Sequence, residues 1–248
     1  MKRWILLRGL MRDSRHWGAF PAMLEQTLGA AEVICIDLPG NGTRCRWPSP
    51  ASISELVAAC RSDPLLLGRR DQFGIVAMSL GAMVATEWAS QHPEEVGALV
   101  LINTSLRPFN PPWHRLRPQN YPAILRLLLR RAPDAEVERA VLAMTSRRCV
   151  DDSELLADWC RWRAAMPVSR SNVLRQLLAA ARYRAPQEAT VSTLLLASEG
   201  DGLVAADCSR EIALQWRVPL AVHPDAGHDL PLDDPLWVLN QIRFWQAT

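Results

Sequence analysis

The stretch Gly74-Ile75-Val76-Ala77-Met78-Ser79-Leu80-Gly81-Ala82-Met83 constrains the fold of this 248-residue chain more than any other. The unbroken apolar run ending at Met78 reads as a strand buried on both faces, as in a parallel sheet covered by helices. Residues 81–90 are alanine-rich and read as a helix. A strand that turns at once into a helix puts the turn residue, Ser79, in a strained backbone conformation with its side chain exposed at the strand's tip. Strand and helix backbones nearly touch there, so the positions two before and two after must be small. Ala77 and Gly81 meet that demand, although Gly is commoner than Ala at the first. The helix N-terminus also points amide N–H groups at the place where negative charge would develop. This is the small-x-Ser-x-small pattern of a nucleophile elbow. The competing reading is a buried strand-turn-helix with an incidental serine.

The remainder of the chain repeats the same alternation. Apolar runs predict strands at 4–7, 32–36, 73–78, 96–102, 192–197 and 219–222. Helical spacing predicts helices over 17–28, 52–61, 208–215 and 236–245. Between 104 and 189 no strand is predicted. Four helices are expected there instead, near 121–131, 134–144, 152–162 and 171–182, with prolines at 108, 111, 112 and 167 marking joints. Strand–helix alternation with a helical insert predicts an α/β fold: a mostly parallel, doubly wound sheet carrying a lid. The expected division is a core of 1–103 and 190–248 and a lid of 104–189.

Composition narrows the partners. A net charge of +2 argues against a nucleic-acid partner for the chain as a whole. The charge is unevenly spread, however. Residues 104–189 hold fifteen arginines against eight acids, so the insert is basic and the rest of the chain acidic. Such a lid would steer an anionic substrate or an acidic carrier protein. Alternatively, its arginines simply coat solvated helix faces; Arg126 and Arg130 lie four apart on one such face. The six cysteines show no CxxC spacing, and no metal or cofactor is implied. They read as free thiols in a reducing cytoplasm. The apolar run at the N-terminus is too short for a signal peptide's core, and no run approaches the roughly 20 apolar residues of a membrane span.

Two further loops bear chemistry. Ser198-Glu199-Gly200-Asp201-Gly202 follows a strand, and an acid there would sit on the same sheet edge as Ser79. Asp201 is preferred because a strand-end loop needs a residue or two before it can reach across; Glu199 is the local alternative. Ala226-Gly227-His228 follows the next strand at that edge. Ser, Asp, His in that chain order is the order of α/β hydrolases. Asn103, past the strand next to the elbow's, cannot supply a carboxylate.

With these motifs the whole chain resembles the α/β hydrolases of compact bacterial type. The carriers are Ala77-x-Ser79-x-Gly81, Gly200-Asp201, Gly227-His228 and Asp37-x-Pro39-Gly40-x-Gly42. It is similar to the carboxylesterase branch that includes pimeloyl-carrier methyl-ester esterases and the lyases of menaquinone synthesis. The resemblance covers 4–102 and 193 to the end; the insert matches only in position. It implies a Ser79–His228–Asp201 triad with the backbone N–H groups of Leu10 and Leu80 as oxyanion hole, and hydrolysis of a small or medium acyl ester or thioester. The alternatives are a lyase that uses the triad as a base and a non-catalytic binding protein on the same scaffold. A dehalogenase would need Asp where Ser79 stands. The family usually has His-Gly after the first strand, where this chain has Arg8-Gly9. Arg8 is expected to be the buried partner of a carboxylate, or else a substrate anchor. His16, Trp113 and His114 are candidates for substrate contact. Trp17 is expected in the core, His92 as a helix cap, and His223 at a strand end without chemistry.

Overall fold

A computed structural model of the chain describes residues 1–29, 31–69, 71–129 and 132–247. Six strands form one sheet: β1 (Arg3–Leu7), β2 (Glu32–Ile36), β3 (Phe73–Met78), β4 (Val96–Ile102), β5 (Ser192–Ser198) and β6 (Leu220–His223). Their order is β2-β1-β3-β4-β5-β6, and every neighbouring pair is parallel. The chain runs outward from β1 in one direction to β2 and in the other through β3 to β6. The crevice at such a reversal, at the C-terminal ends of the strands, is where open α/β sheets place their ligands. Register makes this specific. Leu7 pairs with Ala77 and Met78 with Ile102, so the chain leaves β1, β3 and β4 at nearly the same level.

Eleven helices are described: α1 (Phe20–Thr27), α2 (Ile53–Arg61), α3 (Leu80–Gln91), α4 (Pro112–Arg115), α5 (Tyr121–Leu129), α6 (Asp134–Thr145), α7 (Ser153–Ala165), α8 (Arg170–Arg182), α9 (Asp207–Trp216), α10 (Leu230–Asp233) and α11 (Pro235–Ala247). Alternate strand residues face opposite ways, and here both faces are covered. Ile5, Leu7, Ile75 and Ala77 pack with Leu56 and Val57 of α2 and Val84 and Trp88 of α3. Trp4, Leu6, Val76 and Met78 pack with Phe20 and Leu24 of α1 and Val238 and Ile242 of α11. Burying one such Leu or Ile side chain contributes roughly 1.5–3 kcal/mol. Two covered faces therefore fix the sheet's register strongly, since a one-residue slip would exchange them.

The structure departs from the sequence reading in its helices. The helix predicted over 17–28 is divided: a 3-10 turn at Ser14–Trp17, capped by the Asp13 carboxylate, ends at Gly18 with φ 53, and α1 begins at Phe20. The proline-rich joint after β4 contains the extra short helix α4. The helix predicted to end at 131 is described to Leu129; Arg130 and Arg131 lie outside the described residues. His92 caps α3 and His223 ends β6, as expected. None of the six cysteines is in a disulfide. No helix among the described residues is long and apolar enough to cross a membrane.

Candidate active site

Ser79 is the N-cap of α3 and adopts φ 53, ψ −117, a conformation that only a constrained turn holds in a non-glycine residue. Its neighbours show what constrains it. A Cβ on Gly81 would lie 2.5 Å from the Leu7 carbonyl oxygen and 2.6 Å from that of Arg8. A Cβ on Gly9 would lie 3.1 Å from the Ser79 Cβ. The end of β1 and the start of α3 thus press together: the approach requires glycine at 81 and leaves little room at 9. The Ser79 amide donates to the Ile102 carbonyl at 3.0 Å, which pins the turn to β4. Among the described residues the amides of Leu10 and Leu80 have no protein acceptor, and Ser79 Oγ makes no hydrogen bond.

His228 and Asp201 meet at the same edge. His228 Nδ1 lies 2.7 Å from Asp201 Oδ2, and both side chains are buried. The other oxygen, Oδ1, accepts the backbone N–H groups of Leu203 (2.7 Å) and Val204 (2.9 Å). The acid is therefore held on one side by its own loop and points its free oxygen at the imidazole. Glu199 lies instead at the surface, paired with Arg210. The turn carrying His228 is held from beneath by Asn103, whose amide donates to the carbonyls of Gly227 (3.2 Å) and His228 (2.7 Å). Asn103 itself adopts φ 44. It cannot supply a carboxylate, but its two bonds fix the turn that carries His228.

Arg8 makes a buried, two-point ion pair with Asp229, with Nη1 to Oδ1 at 3.1 Å and Nη2 on Oδ2. Its guanidinium also lies 4.8 Å over the Trp17 ring, and Trp17 is in the core. Burial alone would raise the Asp229 pKa, but the charge and hydrogen bonds of Arg8, together with the charge of Arg12, hold the carboxyl below its usual range. The loop that presents the Leu10 amide is in this way bonded to the residue after His228. Neither Arg8's partner nor Asn103's was legible from spacing, since each lies more than a hundred positions away.

Ser79, His228, Leu10 and Arg8 line one cavity of about 190 Å³, closed over by α5, α6 and α8 residues such as Ile124, Val141 and Val173. The three proposed substrate contacts lie elsewhere. Trp113 is 59% exposed on α4 and outside the lining. His114 is also outside it, and its carbonyl accepts the Ala205 amide at 2.9 Å. His16 is buried in a separate depression, edge-on to Trp159 and Trp162. Its Nε2 faces Arg12 Nη1 at 3.3 Å and its Nδ1 faces the Asp13 carboxylate at 3.2 Å. His16 Nδ1 also accepts the Asp13 backbone N–H at 3.2 Å, which closes the cap of the turn. Burial, with Arg12 beside it, lowers the His16 pKa to about 4. His16 is a neutral structural residue of the 3-10 turn.

The alpha/beta hydrolase family model matches residues 4–241, and the chain belongs to that family. Two curated relatives match part of it. One is the pimeloyl-[acyl-carrier protein] methyl ester esterase of Chromobacterium violaceum, 33% identical over 37% of this chain and 34% of its own length. The other is the biotin biosynthesis bifunctional protein BioHC of Teredinibacter turnerae, 33% identical over 41% of this chain and 17% of its own. The chain thus matches about a third or less of these relatives' length. Among solved structures, a thermophilic esterase from Thermogutta terrifontis superposes with a TM-score of 0.77, at 20% identity, over 100% of this chain and 90% of that one. That likeness is one of fold.

Proposed function

We propose that this protein is a serine hydrolase that cleaves a carboxylic ester or thioester of a small or medium acyl group. The observation that carries the reading is the 2.7 Å contact of His228 with Asp201, on the cavity that Ser79 also lines. With Nδ1–H given to Asp201, the other ring nitrogen is the acceptor, the tautomer a general base needs. Ser79 Oγ attacks the acyl carbon as His228 Nε2 takes its proton. The tetrahedral oxyanion accepts from the unengaged amides of Leu10 and Leu80. As it collapses, His228 returns the proton to the departing alcohol or thiol, leaving an acyl-Ser79 ester. Water, deprotonated by His228, hydrolyses that ester and frees the acid. Removing one oxyanion donor from such a site costs on the order of 10²–10³ in turnover. The curated relative that acts on an acyl-carrier-protein ester supports a carrier-borne acyl group as one form of the substrate.

A fluorophosphonate probe tests the reading, because it labels only an activated serine. The parent protein should be labelled at Ser79 and should release nitrophenol from nitrophenyl acetate with a burst. The Ser79→Ala variant should fold, take no label and lose the esterase activity. Parent-level hydrolysis by Ser79→Ala would remove Ser79 as the nucleophile. Labelling without a burst, and without turnover of any ester, would favour the lyase reading.

A further inference from the structure

The cavity is apolar except for an unusual concentration of one kind of charge. Arg8, Arg12, Arg163 and Arg170 line it, while Asp229 is the one acid among the described lining residues. Arg8 is matched one to one by Asp229. The next acid, Glu138 of α6, is 1% exposed and is divided between two cations. Its Oε2 accepts from Arg12 Nη1 at 2.7 Å and its Oε1 from Arg163 Nη1 at 3.3 Å. Arg163 also reaches Asp134 at the surface. Arg12 is 6% exposed and its guanidinium lies 4.2 Å over the Trp159 ring. Two guanidinium nitrogens, Arg12 Nη2 and Arg8 Nε, are buried and have no acceptor among the described residues. Buried charges are normally paired and their donors satisfied. Burial lowers the Arg12 pKa against the pull of Glu138, as expected of a cation short of countercharge.

We propose that Arg12, with Arg163 and Arg8 beside it, forms a subsite for a carboxylate carried by the acyl group. The substrate class is then an ester or thioester whose acyl chain bears a second, free carboxylate. This rests on the hydrolase reading and narrows it. A planar guanidinium with a spare donor matches a carboxylate in geometry and charge, and apolar surroundings strengthen that bond relative to water. The apolar walls fit the methylene chain between the two ends. A neutral acyl chain of the same length would leave Arg12 short of countercharge.

The test compares two esters of equal chain length, 4-nitrophenyl hydrogen adipate and 4-nitrophenyl hexanoate, at pH 7.5. The parent should favour the adipate ester in kcat/KM by tenfold or more. Arg12→Gln with Glu138→Gln removes one buried charge of each sign, so no carboxylate is stranded; in that variant the ratio should fall toward one. A parent ratio near one overturns the proposal without any variant. So does a ratio that survives in the folded double variant. A binding readout is independent of turnover: adipate should raise the Tm of the Ser79→Ala protein at concentrations where hexanoate does not, and equal shifts would count against the subsite. Loss of the hydrolase reading looks different, since neither ester would be cleaved and Ser79 would take no fluorophosphonate.

Discussion

At the scale of single residues, the two carboxyl candidates after β5 have opposite surroundings, and these predict opposite consequences. Asp201 has one oxygen fixed by two backbone amides and the other on His228. Asp201→Asn keeps the shape but favours the wrong imidazole tautomer, so kcat should fall roughly 10⁴-fold. Glu199→Gln removes a surface carboxylate paired with Arg210 and should leave kcat within about twofold. The reverse ranking would move the acid to Glu199. His16 gives a prediction on stability. Its folded pKa, about 4, is below the ordinary histidine value near 6.5. Between those values the unfolded chain binds a proton that the folded one does not, so stability is lost as pH falls from about 6.5 to about 4. The linkage is worth up to about 3 kcal/mol. In urea titrations His16→Asn should be less stable at pH 7 but should show a flatter dependence through that window. An unchanged slope would mean that His16 is not the group responsible. The placement of Ser79, Asp201 and His228 at one sheet edge was readable because each follows a strand end, beside small residues or glycine. Arg12 and Glu138 were not, because residues 126 apart leave no local pattern.

At the scale of elements, the junction of β3 with α3 is decided by the space between it and β1. Gly81→Val would drive two methyl groups toward carbonyl oxygens already 2.5 and 2.6 Å from the first added atom. We expect a loss of at least about 1–3 kcal/mol, read by urea denaturation, together with loss of fluorophosphonate labelling as Ser79 is displaced. Gly81→Ala should show the same signs more weakly. A variant of full stability and full labelling would mean the turn has slack that the packing does not show. The elbow was legible because sterics dictate small residues at fixed offsets. The break before α1 was not read, since the apolar spacing of Trp17, Phe20, Met23, Leu24 and Leu28 runs through Gly18 uninterrupted. Hydrophobic period reports which side is buried, not whether the backbone changes hand at one residue, as it does at Gly18 with φ 53.

At the scale of the whole molecule, strand–helix alternation foretold the sheet and the position of the helical segment between β4 and β5. It did not foretell how that segment is seated, because the bonds that seat it use main-chain groups any residue could supply. The Thr145 carbonyl, at the end of α6, accepts the Asp229 amide at 2.7 Å. Asp233 accepts the Arg147 amide (2.9 Å) and the Gly227 amide (2.6 Å) on a single oxygen. The cover over the cavity is hooked, at this corner, to the turn that carries His228. Lifting that corner breaks bonds to the residues on either side of His228. Amide hydrogen exchange should find Arg147, Gly227 and Asp229 opening as one cooperative unit, and independent exchange of Arg147 would show the corner breathing alone. On the proposed serine-hydrolase reading, access and readiness are then coupled: a molecule ajar at this corner would hold its base less firmly, and an acyl group on Ser79 would wait for the enclosure to shut before water could take it off.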